Sequence, residues 1–318
     1  MVKNLLIGGF GFLGAQIARE LLGRGEEVAV FDVYAPPATV ADFAPRIRFM
    51  RGDITNWSHL AKTWLELQPE NVFCLPAIMP PASEQDPALA FQINVQGTFN
   101  VLETCRLIPV KRLLMISSIS VYAPGVPPVV SDDFPQCPWS MYGVSKVCLE
   151  RLGEQYARRY GVDFRALRLP GVLGPGRLGQ AQSSFANYAI SHALASRPYT
   201  INVTPETRLL MLYVRDAVRA FLTLRDAPAE KLGQRVYNIN GFFFSVAELV
   251  AAIRESFPGA AYSFVPDPAV VRVIEGWPQA MDDSTAQRDW GWRPDYDIRS
   301  AVKDYIVELG TYPERYPR

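Results

Sequence analysis

A glycine-rich turn near the start of the chain constrains the fold more than any other feature. It lies between an apolar segment at 4–7 and a helical pattern at 11–23. Without side chains, the backbone can turn tightly there and approach a pyrophosphate, which rests on the helix N-terminus. The order of strand, glycines and helix therefore predicts a dinucleotide-binding unit. The residues of the turn that we expect to contact the cofactor are Gly8, Gly11, Phe12, Leu13 and Gly14.

Short apolar segments alternate with helical patterns through the first half of the chain. The segments are continuously apolar, as strands buried on both faces of a parallel sheet are. The alternation predicts an α/β fold, a doubly wound parallel sheet of the Rossmann type with right-handed crossovers. The predicted strands are 4–7, 27–33, 47–51, 72–75, 112–118 and 163–169, and the predicted helices are 11–23, 58–67, 88–107 and 141–160.

The pattern loosens after Pro170. The glycine-rich segment 171–182 is predicted to be a loop over the site. Further helices are predicted at 185–195, 216–224, 246–256 and 298–309, and further strands at 199–203, 210–214, 235–239 and 262–265. We therefore expect residues 1–170 to form the cofactor-binding domain and residues 171–318 mostly a smaller α/β substrate lobe. That lobe is discontinuous, because the strand near 235–239 is expected to rejoin the main sheet.

Composition excludes several classes of protein. The 318 residues are 49% hydrophobic, so a large core is possible. Lys+Arg and Asp+Glu number 32 each, and this balance predicts binding to neither nucleic acid nor a membrane surface. Four scattered cysteines predict a reduced, cytoplasmic protein, and two histidines predict no metal site. No uninterrupted apolar run is long enough for a membrane-spanning helix.

Two aspartates follow predicted strands where a nucleotide would lie. Asp32 ends the second strand, and a carboxylate there accepts hydrogen bonds from ribose hydroxyls and disfavours a 2′-phosphate. No Arg or Lys occurs at 33–35, so we expect NAD rather than NADP. The alternative is a turn or helix-capping Asp. Asp53 follows the third strand and either accepts the adenine amino group or caps the next helix.

A tyrosine and a lysine in one predicted helix suggest a catalytic base. Tyr142 and Lys146 are four residues apart, so they share one helix face. A free phenol has a pKa of ~10, and a neighbouring ammonium favours its ionised form. Ser117 and Ser118 end the fifth strand at the same sheet edge and add a hydroxyl for the substrate oxygen. Taken alone, the spacing also occurs by chance in surface pairs.

This combination of residues resembles the extended short-chain dehydrogenase/reductases, in the epimerase/dehydratase branch. The resemblance implies that Tyr142 is the general base, that Lys146 holds the nicotinamide ribose, and that Ser118 orients the substrate. It also implies a homodimer formed through helices 88–107 and 141–160. Further cofactor contacts implied by it are Asp32, Asp53, Ile54, Leu75, Pro76, Asn94, Ser117, Tyr142, Lys146, Pro170 and Val172.

The second half resembles the short-chain type of L-threonine 3-dehydrogenase at 206–217, 276–284 and 288–292. It departs from that type near the substrate, where Pro80 and Phe185-Ala186 replace a serine and two threonines. A pocket with these residues is drier and less suited to an ammonium and a carboxylate. Arg208 is either a carboxylate anchor or a surface residue. The residues expected to bind substrate are Ser118, Pro80, Ser140, Tyr142, Phe185, Arg208 and Trp277.

Three functions are open at this point. The leading one is an NAD-dependent dehydrogenase that oxidises a secondary alcohol of a small polar substrate, such as an L-threonine-like compound or another hydroxy acid. The alternative is a nucleotide-sugar 4-epimerase with tightly bound NAD. Against it, the sixth strand ends Arg168-Leu-Pro-Gly, where such epimerases usually place an asparagine for the diphosphate. A non-catalytic NAD sensor is a third reading, and the complete Ser118, Tyr142 and Lys146 set argues against it.

Overall fold

A computed structural model describes residues 2–177, 179 and 182–316. The strands in this part of the chain are β1 (Asn4–Ile7), β2 (Val28–Asp32), β3 (Arg48–Arg51), β4 (Asn71–Cys74), β5 (Arg112–Ser118), β6 (Val129–Val130), β7 (Phe164–Leu169), β8 (Gly171–Leu173), β9 (Tyr199–Ile201), β10 (Arg208–Tyr213), β11 (Val236–Asn238), β12 (Phe242–Ser245), β13 (Tyr262–Phe264) and β14 (Ala280–Met281). The α-helices are α1 (Phe12–Gly23), α2 (Trp57–Leu67), α3 (Ala82–Gln85), α4 (Pro87–Ala90), α5 (Gly97–Leu107), α6 (Met141–Tyr160), α7 (Phe185–Leu194), α8 (Val214–Asp226), α9 (Val246–Ser256), α10 (Pro268–Glu275), α11 (Ser284–Trp290) and α12 (Ile298–Thr311).

The main sheet positions the site. Its strand order is β11-β7-β5-β4-β1-β2-β3, and its neighbouring strands pair in parallel. Strand β1 lies between β2 and β4, so the strand order reverses there. Ligands of open parallel sheets bind at such a switch point, outside the carboxyl ends of the strands. The Rossmann-type α/β fold predicted from the alternation is therefore confirmed.

The helices cover both faces of this sheet. One buried cluster joins β1 and β5 to α2 and α6, and includes Trp64, Leu149 and Phe164. The opposite cluster joins the sheet to α1 and α8, and includes Ile17 and Phe221. Continuously apolar strands suit this three-layer arrangement, because both of their faces are buried. None of the described helices is long and apolar enough to cross a bilayer.

Smaller sheets in the second half build a wall over the carboxyl edge. Strand β8 follows Pro170 directly and pairs with β10 in the sheet β12-β10-β8. A two-stranded pair of β6 and β14 carries the segment before Ala280 towards the same edge. Strand β11 pairs with β7, as expected for a strand that rejoins the main sheet.

Two predicted elements differ from the structure. The helix predicted at 88–107 contains a π-helical segment, Phe91–Gln96, between α4 and α5. Such wide turns occur often at functional sites, and apolar periodicity does not reveal them. The loop predicted at 171–182 begins instead with strand β8, because Gly171–Leu173 finds a partner in β10. Residues 178, 180 and 181 of that prediction lie outside the described residues.

Candidate active site and cofactor cleft

The glycine turn has the geometry of a pyrophosphate cradle. Gly8 has φ 71°, a left-handed conformation that favours glycine. A Cβ on Gly8 would lie 2.9 Å from the Pro76 ring, and one on Gly14 would lie 2.6 Å from the Gly8 carbonyl oxygen. Helix α1 begins at Phe12 with no acidic residue in its first turn, so its N-terminus suits an anion. These residues fit the dinucleotide predicted from the sequence.

Asp32 lies at the end of β2 beside this turn. Its carboxylate accepts hydrogen bonds from the backbone N–H groups of Phe10 and Tyr34, each at 3.2 Å. The hydrogen bond from the Tyr34 N–H stabilises the turn, which is one of the alternatives that the sequence left open for Asp32. A carboxylate accepts about four hydrogen bonds, so lone pairs remain for a ribose. Asp32 therefore fixes the turn and is also available to the cofactor.

Asp53 is not the cap of the following helix. The N-cap of α2 is Asn56, whose side chain accepts from the Ser58 N–H at 3.1 Å. Asp53 instead accepts from the backbone and the hydroxyl of Thr55, both at 2.8 Å. It orders the loop three residues before the cap, so the capping alternative is wrong. Ile54 beside it is buried against Gly97.

Asn94 supports the loop that follows β4. It lies in the π-helical segment, and its amide exchanges hydrogen bonds with the backbone N–H and carbonyl of Ile78 at 2.7 and 2.9 Å. The same amide donates to Ser145 on α6 at 3.2 Å. These contacts match the supporting role implied by the resemblance. They hold the loop beside the glycine turn, where Leu75 donates its N–H to the Ile7 carbonyl.

Tyr142 and Ser118 meet at the carboxyl edge of β5. Tyr142 is 6% exposed and Ser118 is 8% exposed, and both line one small cavity. Burial raises the pKa of the Tyr142 phenol, while hydrogen bonding to Ser118 and the positive charge of Arg177 act in the opposite direction. Ser118 is held in place because its hydroxyl accepts from the Ser120 N–H at 3.1 Å.

Lys146 lies beneath the phenol. Its ammonium donates to the Ile116 carbonyl at 2.7 Å and lies 5.3 Å from the centre of the Tyr142 ring. Burial lowers the pKa of Lys146 from 10.5 to about 8, so the side chain is mostly protonated at neutral pH. The influences that lower the Tyr142 pKa are Ser118 and Arg177. The sequence predicted Lys146 for that role and did not identify Arg177.

Ser117 lines the same cavity, and its hydroxyl is turned towards Glu150 on α6. Its hydroxyl donates to the buried carboxylate of Glu150, which also pairs with Arg168 at 2.8 and 2.9 Å. The expected contact of Ser117 with substrate or ribose stays a prediction, since the residue borders the cavity while its hydroxyl binds Glu150. Arg168 is 3% exposed and is turned towards this carboxylate.

The cavity beside Tyr142 is small, about 100 Å³. Of the predicted substrate residues it brings together Ser118, Tyr142, Pro80 and Trp277. The predicted cofactor residues Ser117, Pro170 and Val172 also line it. It also includes residues that sequence reasoning missed. These are Met79, Ile116, Ile119, Ser120, Leu169, Gly171, Arg177 and Ser183.

Three residues expected to bind substrate lie elsewhere. Arg208 is half-exposed at the start of β10, pairs with Glu248 at 3.8 Å and lies over the Phe243 ring. Phe185 is 3% exposed within the core. Ser140 caps α6, where its hydroxyl accepts from the Gly143 N–H at 2.9 Å. Helix and strand spacing predicted their elements but not the directions in which these side chains point.

The chain belongs to the NAD dependent epimerase/dehydratase family, whose model matches residues 4–240. This confirms the family resemblance, and the cofactor is NAD. Both the glycine cradle and the carboxylate at the end of β2 agree with this cofactor.

Relatives of known name cover nearly the whole chain. A mitochondrial L-threonine 3-dehydrogenase of Sus scrofa is 33% identical over 98% of this chain and 83% of its own length. A D-erythronate dehydrogenase of Cupriavidus necator is 33% identical over 96% of this chain and 98% of its own length. The solved L-threonine 3-dehydrogenase of Trypanosoma brucei superposes with a TM-score of 0.91 at 32% identity, covering 98% of each chain.

We expect Lys146→Met to be more stable than the wild type at pH 7, by about 1–2 kcal/mol. A shift of the pKa from 10.5 to about 8 corresponds to about 3 kcal/mol, from which the lost bond to the Ile116 carbonyl subtracts about 1.5 kcal/mol. The unfolded state binds this proton more tightly, so the penalty is complete below pH 8 and is relieved as the pH rises towards 10.5. The stability gap should therefore narrow between pH 8 and 10.

Urea denaturation at pH 7 and at pH 9.5 measures this gap, and Lys62→Met on the exposed face of α2 is the matched control. The control should change stability by less than about 0.5 kcal/mol at either pH. A Lys146→Met protein that is less stable than the wild type at pH 7, or a gap that does not narrow, contradicts the assignment of a costly buried ammonium.

Proposed function

We propose that this protein oxidises a secondary alcohol of a small hydroxy substrate to a ketone, with NAD as the hydride acceptor. The observation that carries the proposal is the meeting of Tyr142, Ser118 and Lys146 beside a small cavity at the carboxyl edge of the sheet. The names of the relatives support it, because an L-threonine 3-dehydrogenase and a D-erythronate dehydrogenase both act on small hydroxy compounds.

In the proposed reaction Tyr142 takes the proton of the substrate hydroxyl. NAD, when bound, supplies the acceptor for the hydride that leaves the same carbon, so the products are a ketone, NADH and one proton. Ser118 orients the substrate oxygen, since its hydroxyl lines the cavity beside the phenol. The positive charge of Arg177 and the hydrogen bond of Ser118 lower the pKa of Tyr142 against the effect of burial. Burial outweighs both in the protein alone, so the pKa of Tyr142 stays raised overall. General base catalysis needs a pKa closer to the working pH, and the positive charge of bound NAD would favour the phenolate.

Lys146 has a positioning role in this proposal. It is 2% exposed, and its ammonium lies under the Tyr142 ring, where the nicotinamide ribose is expected. Its bond to the Ile116 carbonyl ties helix α6 to strand β5. Lys146 therefore holds the ribose on one side and the strand on the other.

We propose that the remaining cofactor contacts follow the order of the strands. The glycine turn with Phe12 and Leu13 holds the pyrophosphate, and Asp32 holds the adenosine ribose. The loop at Asp53 and Ile54 borders the adenine, while Leu75 and Pro76 lie next to the turn. Pro170 and Val172 line the cavity and face the nicotinamide. In this division, residues 1–170 bind the cofactor and residues 171–318 mostly cover the substrate.

The dimensions of the cavity favour a dehydrogenase over the alternative 4-epimerase. The cavity has a volume of about 100 Å³. Pockets for drug-sized ligands measure about 300–1,000 Å³, and a nucleotide-sugar belongs to that size class. The strand end Arg168-Leu-Pro-Gly also lacks the asparagine that such epimerases usually use for the diphosphate. Both observations favour a small substrate.

Replacement of Tyr142 by Phe should lower kcat by about 10²–10⁴-fold, because the general base is lost. The affinity for NADH should change by less than about threefold, since the ring remains in place. NADH absorbance measures turnover, and NADH fluorescence measures binding. Tyr160→Phe, at the half-exposed end of the same helix, is the matched control and should behave as the wild type. Retained turnover would place the base elsewhere, and lost NADH binding would give Tyr142 a purely structural role.

We also propose a homodimer formed through α5 and α6. The two helices lie side by side, since the Phe99 and Tyr156 rings meet edge to face at 6.4 Å. Together with the π-helical segment before α5, they expose the apolar side chains Phe91, Phe99 and Val144, by 51%, 38% and 48%. A patch of this kind is typical of a protein interface. A solved structure at 28% identity is described as a monomeric L-threonine 3-dehydrogenase, so the state needs a direct test.

The doubly substituted variant Phe91→Glu/Phe99→Glu should be a monomer, because charges on this surface prevent its burial. Sedimentation analysis should give twice the 35.5 kDa chain mass for the wild type and the single mass for the variant. Leu65→Glu, on the 67% exposed position of α2, is the control and should remain dimeric. A wild type that sediments as a monomer at micromolar concentration refutes the proposal.

We further propose that the protein works in a reducing compartment such as the cytoplasm. All four cysteines are free thiols, and Cys74 and Cys105 are buried. Structural disulfides are typical of oxidising compartments, so free thiols support this location. The Sus scrofa relative is named as mitochondrial, and that name is a statement about the relative.

A further inference from the structure

The cavity beside Tyr142 has an asymmetric charge. Among the described residues that line it, Arg177 is the one charged side chain, and no Asp or Glu is among them. The other walls are largely apolar, with Met79, Ile119 and Trp277 among them. Apolar walls reduce the screening of a charge, so a single guanidinium strongly favours an anion. An ammonium group in the same cavity would meet a positive charge and no described negative one.

Arg177 is held towards the site. Its guanidinium carbon lies 5.5 Å from the centre of the Phe12 ring, at the start of α1, and its backbone N–H donates to the Gly174 carbonyl at 3.2 Å. The charge is close enough to Tyr142 to lower the phenol's pKa. Burial in turn lowers the pKa of Arg177 itself. These contacts distinguish it from Arg208, which is half-exposed beside Glu248.

We infer that the Arg177 guanidinium binds the carboxylate of the substrate, and that the substrate is a small hydroxy carboxylate without an ammonium group. This inference rests on the proposed function and names its substrate class. Guanidinium presents a planar fork of N–H donors that matches a carboxylate in two hydrogen bonds. A substrate carboxylate also offsets the cost of a desolvated cation beside Tyr142. Erythronate, named for one relative, has this chemistry, whereas L-threonine adds an ammonium.

A second anion could bind the Arg177 guanidinium. Phe12 belongs to the glycine turn, so a cofactor phosphate is the other group within the reach of a guanidinium over its ring. The lining of the cavity favours the carboxylate, because Arg177 borders it together with Ser118 and Tyr142. The two sources are separable, because a phosphate contact affects the binding of the cofactor alone.

The test uses the complex of the enzyme with NADH, in which an alcohol cannot transfer a hydride. NADH fluorescence reports the binding of 2,3-dihydroxybutanoate in each stereoisomer, of its carboxamide and of L-threonine, in which an ammonium replaces one hydroxyl. For the best stereoisomer, the carboxylate should bind about 100-fold more tightly than the carboxamide, and at least about 10-fold more tightly than L-threonine. In Arg177→Met the preference for the carboxylate should fall below about fivefold. Arg177→Lys should keep part of it.

Arg254→Met is the matched control, because Arg254 is exposed on α9 over the Tyr262 ring and should leave both preferences unchanged. Equal binding of carboxylate and carboxamide, or L-threonine binding as tightly as the dihydroxy acid, overturns the inference even if the variants are unstable. A loss of NADH affinity in Arg177→Met, without a change in the carboxylate preference, assigns the residue to the cofactor and also overturns it. The proposed function fails separately, if NAD and hydroxy acids yield no NADH.

Discussion

The arrangement of the site depends on the buried ion pair between Glu150 and Arg168. Glu150 is 0% exposed and Arg168 is 3% exposed, and both oxygens of the carboxylate bind the guanidinium. Breaking such a pair leaves an uncompensated buried charge, at a cost of about 3–5 kcal/mol. Helix α6 therefore cannot slide along β7 without a large penalty. The pair also takes the hydroxyl of Ser117, so it fixes α6 relative to β5 and holds Tyr142 beside Ser118.

The burial that makes the site work also has an energetic cost. Tyr142 and Lys146 both lose solvent, which raises the pKa of the phenol and lowers the pKa of the ammonium to about 8. Each shift disfavours the charged form, and the local contacts of Ser118, Arg177 and the Ile116 carbonyl oppose it. Buried ionisable groups at functional sites commonly lower the stability of the fold while they serve activity.

The sequence predicted the strands, helices and glycine turn that carry the site better than it predicted the side chains that line the cavity. The strand ending at Ser118 and the helix at Met141–Tyr160 have the predicted bounds, because apolar runs and helical periodicity are local signals. The glycine turn could also be predicted, since a backbone constraint dictates its residue type. Arg177 lies in a glycine-rich segment without periodicity, so no local pattern indicated which cavity it borders. The role of Arg208 could not be decided from the sequence, because the direction of a strand side chain depends on tertiary packing.

The pH dependence of kcat/KM in the wild type and in Ser118→Ala tests the central claim most directly, because kcat/KM reports the ionisation of the free enzyme. The account predicts a rate that rises with pH through one ionisation, that of Tyr142. Its midpoint should move to higher pH in Ser118→Ala, since hydrogen bonding to Ser118 lowers the pKa of the phenol. A midpoint that stays unchanged in the variant, or a rate that is independent of pH, contradicts the assignment of Tyr142 as the base.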